Sequence, residues 1–218
     1  MTPAPLLLDS ITDIGPQHAG AVVISGSHGG LYPASLASRG NLRAVIFNDA
    51  GRGYEDAGIA GVLALCDVGM AAATATATSC RIGSAGDAEA RGVIGTANDP
   101  AQAVGVTEGM SVREAATLLA RAALPTGHLP EVSESRKTLT LKGNGLAVAL
   151  LDSASMVGPE HVGGVVVTGS HGALIGGDPA RALKAPGAVV IFNDAGGGDD
   201  DVGRARLLAL SARGIAAA

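Results

Sequence analysis

Two short turns in this chain place a histidine directly after a β-branched run. Ala21-Val22-Val23-Ile24 leads into Gly26-Ser27-His28-Gly29, and Val165-Val166-Val167-Thr168 leads into Gly169-Ser170-His171-Gly172. Two more turns do the same with an amide and a carboxylate: Val45-Ile46-Phe47 ends in Asn48-Asp49, and Val190-Ile191-Phe192 ends in Asn193-Asp194. An imidazole exchanges protons near neutral pH. Glycines beside it let the backbone bend sharply and bring N–H groups toward an anion or a developing oxyanion. A nearby carboxylate can orient the imidazole or polarise a water. These types and spacings nominate His28, Asp49, Ser27, His171 and Asp194 as catalytic candidates. Gly26, Gly29, Asn48, Arg81, Ser170 and Asn193 are the corresponding substrate-binding candidates. Each group also has a plainer use: the histidines can cap their own loops, Asp49 and Asp194 can hold glycine turns by accepting backbone amides, and the asparagines suit left-handed turn geometry.

The nucleophile is less defined. Ser27 adjoins His28 and Ser10 lies across the same expected edge, but neighbouring loop residues usually point apart, which weakens a direct Ser27–His28 pair. Cys80, followed by Arg81, offers a thiolate that His28 could assist, and Arg81 could bind a substrate carboxylate. Cys66 falls in an apolar helical stretch and reads as a buried, inert thiol. The two cysteines match neither a zinc spacing nor a disulfide framework. No cofactor is required by the sequence; a divalent metal would need His28, His171, Asp49 and Asp194 to converge, because no local ligand motif is present. His18 and His161 precede buried strands and suit turn or surface roles.

The elements that must position these groups are written twice. Leu7-Leu8-Asp9-Ser10 and Leu150-Leu151-Asp152-Ser153 each read as a strand meeting a loop, and each Ser-His-Gly turn follows a run suited to burial on both faces. Asp178-Pro179 supplies an N-cap and a first-turn proline, a part that Pro33 plays earlier, so a short helix is expected up to Arg39 and up to Lys184. Longer helices are expected over 56–68 and 201–213, closed by Gly69 and Gly214. Residues 74–143 have no second counterpart. They contain an Ala-rich helical stretch ending near Asn98, a helix from Ser111 to about Leu124 with Glu114 completing a capping box, a linker over 125–137, and a hairpin through Asn144-Gly145.

Alternating strands and helices imply an α/β fold: a mostly parallel sheet with helices on both faces, built from an internal duplication with pseudo-twofold symmetry. We expect a single domain over 1–218, with a first repeat at about 5–73, a unique extension at 74–143 and a second repeat at about 146–218. One half would cover the open sheet edge of the other, or two lobes would meet across a cleft. In either case the polar turns fall at the carboxyl ends of parallel strands, where ligands bind in open α/β sheets.

A strand ending in Ser27-His28-Gly29, followed by one ending in Asp49-Ala50-Gly51-Arg52-Gly53, resembles the two motif blocks of caspase-like cysteine peptidases, which place His-Gly and Ala-Cys after neighbouring parallel strands. The resemblance implies the same α/β layout. This sequence has Gly51 and Gly196 at the nucleophile position, so peptidase activity is not implied.

Composition narrows the function classes. The chain has 218 residues, 47% apolar and 16% charged, with 33 glycines and only 2% aromatics, so its core must be built from small aliphatic side chains. A net charge of −5 without a basic cluster argues against nucleic acid and anionic membrane surfaces. No long apolar run or leader pattern is seen, which makes a cytoplasmic location the default expectation. The functional expectation is a small-molecule enzyme, a hydrolase or lyase acting on an amide or carboxylate, with the first copy the more active. The alternative is a non-catalytic module that binds a small anion or self-assembles. A small-molecule ligand is the expected partner, and the Gly- and Ala-rich composition is compatible with a homo-oligomer.

Overall fold

The computed structural model describes residues 4–143, 145–187 and 189–218, with backbone alone for 199–201; Asn144, at the tip of the expected hairpin, lies outside the described residues. The first half forms β1 (Leu6–Leu8), β2 (Val22–His28), α1 (Leu31–Arg39), β3 (Ala44–Asn48), α2 (Ala60–Ala64) and β4 (Ala71–Ala75). The middle contributes α3 (Ala85–Arg91), β5 (Ile94–Ala97), α4 (Asp99–Ala103) and α5 (Val112–Leu119). The remainder forms β6 (Arg136–Thr140), β7 (Ala147–Leu151), β8 (Val165–His171), β9 (Val189–Asn193), α6 (Ala205–Ser211) and β10 (Ala216–Ala217). Among the described residues, no helix is long and apolar enough to cross a membrane.

The strands make two five-stranded sheets, ordered β1-β2-β3-β4-β5 and β10-β9-β8-β7-β6. β1 to β4 are parallel and β5 is antiparallel to β4; β7 to β10 are parallel and β6 is antiparallel to β7. The class is α/β and mostly parallel, as the alternation of elements implies. The expected continuous sheet is replaced by two, because the segments outside the recurrent blocks supply β5 and β6, which occupy the edges that the opposite half would have covered.

In the first sheet β3 and β4 are buried throughout, which suits their mostly apolar sequences. Ile24, Ile46 and Ala73 pack against Val112, Ala115 and Leu119 of α5. Val23, Val45 and Phe47 pack on the other face against Ala34 and Ala37 of α1 and Val62 of α2. α5 starts where Ser111 and Glu114 cap each other's backbone. The second sheet has its apolar cluster on the face of Val166 and Val190, closed by Leu210 of α6. On the opposite face Ile191 is 37% and Leu139 50% exposed, so helices on both faces describe the first sheet only.

Several expected elements come out shorter. The helix expected after Asp178 is a single 3-10 turn, Pro179–Arg181, preceded by Gly176 and Gly177 at φ of 62° and 69°, which break the path that α1 follows in the first half. The helices expected over 56–68 and 201–213 are each part α and part 3-10. The Ala-rich stretch before Asn98 divides into α3 and β5, and Asn98 then caps α4 rather than ending a helix.

The two halves meet at the turns after β3 and β9. Gly51 and Gly196 have φ of 68° and 79°, the left-handed region that glycine tolerates. A Cβ on Gly51 would lie 2.7 Å from the Gly196 Cα, and one on Gly196 would lie 2.8 Å from the Gly51 Cα. The glycines of the two recurrent Asn-Asp-Ala-Gly turns therefore touch each other. Ile82, Ala173 and Ala195 seal the junction with Ala50 and Val202. Gly83 ties the halves together further: its N–H donates to Gly26 O at 2.7 Å and its carbonyl accepts the Gly176 N–H at 2.8 Å. Gly51→Ala and Gly196→Ala should each lower unfolding stability by about 1–3 kcal/mol in urea denaturation. The double substitution should cost less than the sum, because both remove the same approach; unchanged midpoints would mean the turns do not meet.

Candidate functional site

Each histidine is placed by an irregularity at the end of its strand. The β2–β3 register is regular through Ile24↔Ile46, breaks, and resumes at His28↔Asn48; the β8–β9 register breaks in the same place and resumes at His171↔Asn193. Glycine is needed inside the break. A Cβ on Gly26 would meet the Asp9 carbonyl oxygen at 2.6 Å, and one on Gly169 the Asp152 carbonyl oxygen at 2.7 Å. The extra backbone length carries both imidazoles to the junction between the halves, where they line one cleft of about 1020 Å³. From the first half, Asp9, Ser27, Tyr32 and Glu134 also line it; from the second, Asp152, Ser170, Lys184 and Arg206.

The two rings differ in their hydrogen bonding. His28 Nδ1 accepts the Gly30 N–H at 3.1 Å, which assigns the neutral ring's proton to Nε2. At the position of Gly30 the second half has Ala173, and His171 Nδ1 is buried without a hydrogen-bond partner. The first half has no room for that methyl group, since a Cβ on Gly30 would stand 2.8 Å from His28 Nδ1. Burial pushes the His28 pKa below its ordinary value. His171 falls to about 3, through burial first, then the Arg206 charge, then His28. Both rings are therefore neutral at physiological pH.

Arg206 was not nominated from the sequence. It occupies the position that Gly61 holds in the first half: the Arg206 N–H donates to Gly172 O as the Gly61 N–H donates to Gly29 O. A side chain at 61 would run into the Gly30 carbonyl. Arg206 is 3% exposed, its guanidinium stacks over Phe192 at 5.0 Å, and its Nε has no hydrogen-bond partner. Burial pulls its pKa down to about 10, which still leaves it charged at neutral pH. Aligning the two copies brings an arginine opposite a glycine within an otherwise apolar segment, a signal the sequence did contain.

Other nominated residues serve the scaffold. Asp49 Oδ1 accepts the N–H groups of Gly51 and Ala77, both at 2.8 Å, and Asp194 Oδ1 accepts that of Gly196 at 3.1 Å. Asn48 and Asn193 accept the N–H groups of Ala50 and Ala195. None of the four lines the cleft, so the expected orienting role of Asp49 and Asp194 gives way to turn-holding. The carboxylates beside the histidines are Asp9 and Asp152, each holding a distant amide, from Ala85 and Ser135. Ser27 and Ser170 accept the amides of Ile11 and Ala154 and form no hydrogen bond with the imidazoles.

The expected oxyanion loop is largely spent on itself. Ser27 N–H donates to Ser25 Oγ, Gly29 N–H to Asn48 O, and Gly30 N–H to His28. Arg81 pairs with Asp87 and lies outside the cleft lining. Cys80 is fully buried, and burial pushes its thiol up to about 11, so a thiolate nucleophile is not on offer. Cys66 is half-buried in the turn after α2. Among the described residues no three His, Cys, Asp or Glu side chains are grouped to hold a metal ion, which removes the proposed His28, His171, Asp49 and Asp194 set. His18 and His161 accept the amides of Gly15 and Gly158 and hold turns.

No protein-family model, curated protein or solved structure matches this chain. The chemistry of the cleft rests on its geometry.

The buried histidine has a consequence for stability. An unfolded chain binds a proton on this side chain below about pH 6.5, whereas folded His171 stays neutral to about pH 3. Within that window the unfolded state holds more protons, so stability is lost as the pH falls from the upper value toward the lower. Urea unfolding between about pH 7 and about pH 4.5 should show His171 contributing up to roughly 1.4 kcal/mol per pH unit. His171→Gln should flatten the profile by that amount; an unchanged slope would place the ring in water.

Proposed function

We propose that this protein is a small-molecule enzyme, a hydrolase or lyase acting on an amide or carboxylate compound held in the cleft between its halves. The observation that carries the reading is that the two Ser-His-Gly turns deliver both imidazoles to one cleft in unlike bonding states. His28 has its Nδ1 lone pair engaged and carries its proton on Nε2. His171 Nδ1 is buried and makes no such bond. Two unlike imidazoles lining one cleft are the elements of general acid–base chemistry, with His28 donating toward a carbonyl or leaving group and His171 the candidate proton acceptor through its other ring nitrogen.

The reading differs in detail from the residue roles suggested by sequence. Ser27, Ser170, Asp49 and Asp194 support the turns, while Asp9 and Asp152 are the carboxylates at the cleft. Water is the nucleophile this arrangement leaves for hydrolysis, and a lyase needs none. The caspase-like resemblance contributes only the layout of strand-end turns.

A second reading, binding of a small anion without turnover, is favoured by one observation: the amides of Ser27, Gly29 and Gly30 are already bonded within the turn and cannot stabilise an oxyanion. Turnover separates the two. Small linear and cyclic amides and hydroxycarboxylates would be incubated with the protein and followed by NMR for amide cleavage or loss of water. The wild type should convert at least one, and His28→Ala and His171→Ala should each lower the rate about 100-fold or more while still folding. Full turnover in both variants would remove the imidazoles from the chemistry, and absence of conversion by the wild type would favour the binding reading.

A further inference from the structure

We infer that Arg206 is the anchor for the carboxylate of a small, singly charged ligand, an inference that rests on reading the cleft as a ligand site. Three observations converge on it. Arg206 lines the cleft with His171 and is 3% exposed as a residue. Among the described residues no carboxylate pairs with it, and its Nε lacks any hydrogen-bond partner. The first half holds Gly61 at the same place, so the fold of this segment does not itself require an arginine.

A buried cation without a counter-ion is costly, because it gives up hydration without an opposite charge to replace it. Stacking on Phe192 offsets part of that cost and fixes the plane of the guanidinium. What remains is a set of forked donors held open at the cleft, the geometry that receives a carboxylate.

The remaining charges choose among anions. Asp9, Asp152, Glu55 and Glu134 line the same cleft, against Arg206, Arg181 and Lys184 as cations. A doubly charged phosphate would meet about twice the net repulsion that a monocarboxylate does, and hydroxyl or amine groups on the ligand would find acceptors among the carboxylates. The ligand class is therefore a small hydroxy- or amino-carboxylate.

Occupancy also changes His171. After burial, the Arg206 charge is the largest influence holding the His171 ring neutral. A bound carboxylate offsets that charge and makes the ring a stronger base. The second half, rather than the first, then carries the proton acceptor.

Thermal unfolding of the full chain with millimolar glycolate, acetate or inorganic phosphate tests this, followed by titration calorimetry with glycolate. Glycolate should stabilise the wild type more than acetate, and phosphate should not stabilise it. Arg206→Met should weaken glycolate binding tenfold or more while raising the unliganded Tm, because a buried unpaired charge has been removed. Arg206→Lys should retain part of the affinity, since it keeps the charge and loses the fork. Glycolate binding unaltered in Arg206→Met would overturn the anchor and leave the cleft reading standing. A lower unliganded Tm in Arg206→Met would mark the guanidinium as a packing element and overturn it too, as would phosphate outcompeting glycolate. The cleft reading is judged separately by turnover in the histidine variants.

Discussion

The contact on which the site depends is the approach of two glycine turns, Gly51 and Gly196, to within a distance that admits no side chain. Each follows an inner strand of its own sheet, and each is held in its left-handed path by an aspartate accepting the glycine's amide. Because the meeting residues are equivalent, whatever lies beside one turn is brought opposite its counterpart. The histidines sit at the ends of the neighbouring strands, so the same contact that joins the halves confronts one imidazole with the other. The cleft is thus a by-product of how the halves pack, and its shape is as rigid as the glycine contact permits.

Confrontation alone would produce two like environments, but small departures between the halves make them unlike. Gly30 leaves space for His28 to accept its amide, while the second half has Ala173 at that place and a His171 Nδ1 without a hydrogen bond. Gly61 leaves the first half without a cation, while Arg206 places one in the second, beside His171. In a low-dielectric cleft these differences dominate: burial and an adjacent guanidinium hold His171 near 3, whereas burial alone lowers His28. Two sheets of like strand order thereby carry two unlike imidazoles.

Much of this architecture could be read from residues. The unbroken run Val45-Ile46-Phe47 announces a strand buried on both faces, and Ser111 with Glu114 announces the start of α5. The position of the histidines at a shared strand-end edge was legible for the same reason, since glycines flank each at the end of an apolar strand. Sequence could not reveal how the polar turns divide their hydrogen bonds. Asp49 and His28 look equally available in a string of letters, yet the aspartate is consumed by two amides that only the folded turn brings near it. Nor could the pattern distinguish one continuous sheet from two, because that depends on β5 and β6 pairing antiparallel at the edges, through segments without a counterpart. Arg206 was visible in the alignment of the copies, but its meaning comes from burial without a partner.

The central claim is that one cleft couples the two imidazoles, and nitrogen-detected NMR of the histidine side chains tests it most directly. In His28→Gln the ring resonances of His171 should shift and its titration should move upward, because a neighbour that lowers it once protonated is gone. Those of His18, His128 and His161, which bond to backbone elsewhere, should stay in place. A His171 signal indifferent to the substitution, or one titrating near the ordinary histidine value in the wild type, would contradict the account.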